Sequence, residues 1–497
     1  MTPRRSIIPK SAQPSVVALL FAIWGLVVPL GYSKTLLSSD GDLARHLVLG
    51  RHILQHGPSF PDVFSHTKSG ETFLAYEWLS EVILALVHGA GGLAAVAVFA
   101  ALLVVVSVTL VAVYLRGRVE TGVVLVAGCL VAVFTYPHWI ARPHLFSFLA
   151  LAVLLHTVTR EPGAKRTLAL GALFVLWANL HPGFFYGLAI LLAYLVGDTL
   201  DHGTRERLRA NGVSVGAAFL GTLVNPFGWS LHLDILRHLK DTQALEMIEE
   251  FQPVDLGSNY GLIFFLTLAL LILILAAGKK RPPFAALLPF LAAMFAGFSL
   301  VRNIPLFGLF AFPILVAASS EVIRGWEWKP LAGPRAVMVA DDEGARTAPL
   351  IAVVLVILGA LVITSGRVGP VQLVQDEFSP VEFPVAAVAK AREAGLNDLV
   401  MFNEYRWGGY ILFAWPDQRI FIDSMANFFG GELMVEYLST RNLDFGWDGV
   451  LRDRGVEMVL LPPDVPLAVF LRGSAEWEVW YEDEVAVVLR NRPEAEG

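Results

Sequence analysis

Eleven apolar runs recur through the first three quarters of this chain, at residues 15–34, 93–115, 120–136, 145–158, 167–180, 183–200, 211–224, 260–278, 283–300, 303–320 and 348–365. Runs of this kind, set against roughly 30 Å of hydrocarbon, leave few folds open. Backbone polar groups inside a bilayer must be satisfied within the segment, so the runs are expected to be helices. Composition agrees: 55% of the 497 residues are hydrophobic, 16% are charged and the mean hydropathy is +0.61, more apolar surface than one soluble core hides. The expected fold class is an α-helical polytopic membrane protein with about eleven transmembrane helices.

Six basic clusters (Arg4/Arg5/Lys10, Arg116/Arg118, Arg160/Lys165/Arg166, Arg205/Arg207/Arg209, Lys279/Lys280/Arg281 and Arg324/Lys329/Arg335/Arg346) all fall on one side of that arrangement. The positive-inside rule makes this side cytoplasmic. Counting 77–92 as a further crossing breaks the agreement, and its apolar residues Leu79, Val82, Ile83, Leu86 and Val87 follow helical spacing, so it reads as an interfacial helix on the outer surface. Residues 15–34 read as an uncleaved signal anchor with a cytoplasmic N-terminus. Two domains follow: a transmembrane domain over 1–365 with an outer loop at 35–92, and an extracytoplasmic α/β domain over 366–497 whose short β-rich runs (399–402, 419–422, 457–461, 477–481, 485–489) alternate with helical patterns. The stretch Glu321 to Arg346 reads as a flexible loop. The expected location is a bacterial cytoplasmic membrane, with the bilayer itself as a partner.

The net charge of −7 lacks a basic stripe and excludes nucleic acid as a partner. The single cysteine, Cys129, permits no intrachain disulfide or thiolate metal centre, and its apolar surroundings suggest a buried structural residue. Ionisable groups in the spans are rare, His156 being the main interior exception, which weakens an ion-coupled transporter. They collect instead at the outer ends. Ser38-Ser39-Asp40-Gly41-Asp42 follows the first run; Glu77-Trp78, Arg142-Pro143-His144, Asn179-Leu180-His181 and Arg302-Asn303 follow in order. Carboxylates beside His and Arg at an apolar boundary suit a general base and cations for an anionic leaving group.

Each group also has a plainer use. Asp40 and Asp42 suit the start of the helix that follows, or a divalent cation. Arg142 and His144 suit phosphate or headgroup anchoring, and His181 suits a pocket or a satisfied turn. Glu249-Glu250 reads as a solvated face and Asp423 as a turn former.

The segment from Asp42 through Arg45-His46 to Gly57, then Phe60-Pro61, resembles the first outer loop of GT-C-fold glycosyltransferases such as protein O-mannosyltransferases and aminoarabinose transferases. There an acidic residue just past the first span is the proposed base, a position that Asp42 occupies here. Leu43 stands where those families commonly carry a second acid, leaving Asp40 to supply one. Glu77-Trp78-Leu79 resembles the opening of their juxtamembrane helix, and Val301-Arg302-Asn303-Ile304-Pro305 resembles the late span whose cation meets a polyprenyl phosphate. Trp407-Gly408-Gly409-Tyr410 and Phe421-Ile422-Asp423 resemble an uncharacterised bacterial membrane group.

The resemblance implies transfer of a sugar from a polyprenyl-phosphate-linked donor to an extracytoplasmic acceptor (glycan, lipid or protein). Asp42 is the base, with Asp40 beside it; Arg302, Arg142, His144, Glu77, Trp78 and His181 are the substrate-binding set. No cofactor is expected, a divalent cation being compatible but not required. The alternative is a non-catalytic membrane protein, either a lipid-linked saccharide transporter or an assembly scaffold.

Overall fold

A computed structural model describes residues 14–278, 281–320 and 348–492. The helices of the apolar part are α1 (Val16–Ser38), α2 (Asp42–His56), α3 (Trp78–Leu115), α4 (Thr121–Thr135), α5 (His144–Val158), α6 (Ala164–Leu180), α7 (Phe184–His202), α8 (Arg205–Thr222), α9 (Trp229–His238), α10 (Thr242–Glu246), α11 (Asn259–Ala277) and α12 (Phe284–Ser299). A broken rod follows, α13 (Ile304–Leu306) and α14 (Phe312–Ala318) separated by a π-helical turn over Phe307–Ala311, and then α15 (Ala348–Ile363). Every apolar run thus lies in a helix. Among the described residues, six stretches are long and apolar enough to cross a membrane: Val16–Ser38, Trp78–Leu115, Thr121–His138, Phe184–His202, Asn259–Ala277 and Val301–Ala318. His144–Val158, Phe284–Ser299 and Ala348–Ile363 are apolar but shorter. Leu266, Leu270 and Leu273 of α11 and Val353 and Val356 of α15 are exposed, as lipid-facing side chains are. The protein is a multi-pass membrane protein.

Helix α3 contains a corner, because Gly91 and Gly92 leave helical geometry and Gly92 takes φ +66°, open to glycine at little cost. The corner separates the amphipathic stretch read at 77–92 from the span that follows. Before it, Ser80, Glu81, Leu84 and Ala85 are buried, and α2 crosses so closely that a Cβ on Gly50 would stand 2.0 Å from the Glu81 carbonyl oxygen. Between α2 and α3 lies a small antiparallel hairpin, β1 (Ser59–Pro61) with β2 (Thr72–Leu74).

Beyond α15 come the hairpin β3 (Arg367–Val368) and β4 (Val371–Gln372), then α16 (Val385–Glu393), β5 (Met401–Asn403), α17 (Gly408–Ala414), α18 (Ala426–Asn442), α19 (Trp447–Asp453), β6 (Met458–Leu461), α20 (Pro466–Arg472), β7 (Trp477–Glu482) and β8 (Val487–Asn491). The sheet order is β5-β6-β8-β7, parallel between β5 and β6 and antiparallel elsewhere. Four of the five β-rich runs contribute strands. The fifth, 419–422, does not: the Ile420 N–H donates to the Phe64 carbonyl, the Phe421 N–H to the Asn403 side chain, and Asn403 Nδ2 donates to the Ile422 carbonyl, so side-chain and loop partners replace a ladder. The same stretch binds the outer loop, with Ser65 bridged to Ile420 and Thr67 Oγ1 donating to the Phe421 carbonyl.

One other expectation changes. Cys129 is exposed, since α4 buries Val124, Ala127, Gly128 and Val131 on its inner face and turns position 129 outward. The loop read over Glu321 to Arg346 lies outside the described residues. His156 is satisfied in place, its Nε2 donating to the Leu110 carbonyl at 2.8 Å.

Candidate active site

The turn between α1 and α2 is shaped by Asp40, whose Oδ1 accepts the Asp42 N–H at 3.0 Å. The helix-start reading of this acid therefore holds, and its other oxygen is left for a charge. Arg142, from the turn before α5, supplies it: Nε lies 2.7 Å from Asp40 Oδ2 and Nη2 2.5 Å from Asp42 Oδ2. The remaining Nη1 reaches Glu250 Oε1 at 3.1 Å. Glu250 is thus an ion-pair partner and no solvated-face residue, because the segment from α9 to Phe251 folds back over the turn. Three carboxylates thus lie within ion-pair distance of one guanidinium, whose Nη1 donates to Glu250.

Burial pushes Asp40 up to about 6, with Arg142 opposing and Asp42 and Glu250 adding to the rise. Glu250 moves the other way, to about 2: burial opposes its ionisation, but Arg142 and Arg302 outweigh that. Burial also works against the Arg142 charge, and the Asp40, Asp42 and Glu250 carboxylates overcome it and raise its pKa.

A second group adjoins the first. Glu77, at the mouth of α3, has Oε1 3.4 Å from His181 Nε2 and Oε2 4.0 Å from His46 Nε2, while His46 Nδ1 lies 3.0 Å from Glu81 Oε1. Burial raises Glu77 to about 7, His46 countering and Glu81 and Asp42 reinforcing. For His46, burial opposes the charged form, but the Glu81 hydrogen bond and the Glu77 charge overcome it and raise its pKa. His46, Glu77 and Glu81 bring one donor atom each within 4.8 Å of one another, although His46 Nδ1 is already hydrogen-bonded to Glu81.

His144 donates from Nε2 to the His138 carbonyl at 2.8 Å, and its ring stands 6.5 Å from that of His181. Trp78 donates its indole N–H to Asn179 Oδ1 at 2.8 Å, which ties the start of α3 to the end of α6. Arg302, in the turn after α12, stacks over the Phe251 ring at 4.3 Å and lies within electrostatic reach of Glu250, Arg142 and Glu77. It has no carboxylate within ion-pair distance among the described residues. All eight residues read from the sequence therefore come to one end of the helical part. Asp198, Arg207, Asn211 and Arg166 form a separate network at the other end of α6, roughly 25 Å away by helix rise.

The C-terminal chain closes the back of this site. Arg45 Nε lies 2.9 Å from Asp423 Oδ2, both side chains wholly buried, and Arg45 stacks over Phe64. A Cβ on Gly41 would stand 1.9 Å from the Arg406 carbonyl oxygen, so the residue between the two acids must be glycine for α17 and the turn before it to seat there. Arg406 in turn donates to the Ser39 carbonyl at 3.1 Å. The Arg45 pair, His46 and Glu81 were not singled out as site residues: each lies on a helix face indistinguishable from a solvated one until a distant segment covers it.

No protein-family model matches the sequence, and no curated protein does. Among solved structures, the Archaeoglobus fulgidus oligosaccharyltransferase in its apo form superposes with a TM-score of 0.57 at 13% identity, over 89% of this chain and 69% of that one. ArnT from Cupriavidus metallidurans, bound to undecaprenyl phosphate, gives a TM-score of 0.50 at 14% identity, over 96% of this chain and 98% of that one. The fold is of the GT-C type. At such identities the likeness concerns the fold, and the GT-C scaffold here carries its charged cluster where the first loop, the α5 and α7 entry turns and the turn after α12 meet.

Proposed function

We propose that this protein is a membrane glycosyltransferase that takes a sugar from a polyprenyl-phosphate-linked donor and passes it to a hydroxyl-bearing acceptor on the outer face of the cytoplasmic membrane. The observation that carries the reading is the division of labour between two arginines of one cluster: Arg142 is held by three carboxylates, whereas Arg302 has none within ion-pair distance among the described residues. Asp42 takes the proton of the acceptor hydroxyl, and the resulting oxygen forms a bond to the anomeric carbon. The bond from that carbon to the phosphate oxygen breaks, its electron pair leaving with the lipid phosphate, which Arg302 receives. Single displacement inverts the anomeric centre. Arg142 acts through the carboxylates by fixing Asp40 and Asp42 in the turn. ArnT, whose structure contains undecaprenyl phosphate, supports a lipid phosphate as the leaving group.

The test is turnover of a labelled polyprenyl-phosphate sugar by the full-length protein in detergent. Loss of product with Asp42→Asn and Arg302→Ala, membrane insertion being intact, is the expected result. Wild-type turnover in both variants ends the proposal, and movement of an unaltered lipid-linked sugar across vesicles establishes transport instead.

A further inference from the structure

Two residues that touch His181 of the cluster, Trp177 and Ser147, have no role in the chemistry above. An indole N–H only donates, so the 2.7 Å contact of Trp177 Nε1 with Ser147 Oγ makes the serine an acceptor there. The one hydroxyl hydrogen of Ser147 is then left for His181 Nδ1, 2.8 Å away. The Gly183 N–H donates to the same nitrogen at 2.9 Å. This crowding requires glycine, since a Cβ there would come within 2.4 Å of Ser147 Oγ and 2.8 Å of His181 Nδ1.

Two donors aimed at Nδ1 leave it no proton of its own. The ring therefore carries its hydrogen on Nε2, the atom that lies 3.4 Å from Glu77 Oε1. The surroundings oppose a charged ring: His181 is buried and faces His144, Arg302, His46 and Arg142, while Glu77 faces His46, Glu81, Asp42, Arg142 and Arg302.

We propose that Trp177 and Ser147 are positioning residues that lock His181 in the neutral tautomer whose one N–H, on Nε2, faces Glu77 at 3.4 Å, so that His181 serves neither as a base through Nδ1 nor as a cation for the lipid phosphate. The part of this that concerns turnover rests on the transferase reading; the tautomer does not.

Two measurements on the full-length protein in detergent decide it. With ¹⁵N-histidine labelling, and His181 assigned by difference from His181→Gln, the wild-type ring shows a protonated Nε2 and an unprotonated Nδ1, and Ser147→Ala moves the Nδ1 resonance toward that of a free imine nitrogen as one donor is lost. In transfer from a labelled polyprenyl-phosphate sugar, His181→Gln, which keeps a donor near the Nε2 position and cannot act as a base, loses at least about fivefold less kcat than His181→Leu. A protonated Nδ1, or glutamine as damaging as leucine, overturns the proposal. Should His181→Leu fail to fold, the Ser147→Ala resonance decides alone. If Asp42→Asn retains full turnover, the transferase reading falls while the nitrogen resonances still report the tautomer.

Discussion

At the scale of single residues, the cluster concentrates charge where burial and pairing compete. Asp42→Asn is expected to lower transfer by about 10²- to 10⁴-fold, the usual worth of a general base, without changing membrane insertion; product formation set against protein in the membrane fraction measures it. The raised carboxyl of Asp40 gives a pH signature. Above about 6 it is ionised and shares Arg142 with Asp42; below that value it becomes neutral and the arginine loses one of its holds. Activity should therefore fall as pH drops through about 6, and Asp40→Asn should remove that inflection from a pH–rate profile at saturating donor. Asp40, Asp42, Arg142 and Arg302 stand out in the sequence as charges at the ends of apolar runs, and the structure adds that the first three meet in ion pairs. The role of Glu250 was not legible there: a glutamate in a polar loop looks solvated until the loop is seen folded onto an arginine from elsewhere.

At the scale of elements, glycines set how closely segments approach. Gly50→Ala places a methyl group against the Glu81 carbonyl where α2 crosses α3 and is expected to cost about 1–3 kcal/mol or more, read as a lowered unfolding temperature in detergent. Gly41→Ala would drive the Asp40–Asp42 turn away from the Arg406 carbonyl, so activity should be lost together with protection of the C-terminal chain from limited proteolysis. The helices themselves were legible from apolar run length, and the break before residue 93 from a change in periodicity. The run at 419–422 was read as a strand on local β-propensity, and the competing partners that displaced a ladder, Asn403 and Phe64, come from outside the window in which propensity acts.

At the scale of the whole molecule, the C-terminal chain is joined to the helix that follows the Asp40–Asp42 turn by a buried ion pair. Replacing one member leaves the other charge buried and unpaired, so Arg45→Met or Asp423→Leu is expected to destabilise by about 3–5 kcal/mol, while the double replacement recovers most of the loss. Thermal unfolding of the four proteins in detergent closes that cycle. If the pair positions Asp42 as well, the double variant is stable yet slow.

The sequence by itself determined a helical membrane protein with ionisable side chains collected at one set of helix ends, because hydropathy and charge are local properties that lipid sorts without reference to the rest of the chain. Only the tertiary structure decided which arginine is held by carboxylates and which is not, and that residues 404–423 complete the wall behind Asp42. Those outcomes depend on distances of about 3 Å between side chains hundreds of positions apart, and no pattern along the chain encodes them until packing brings the segments together.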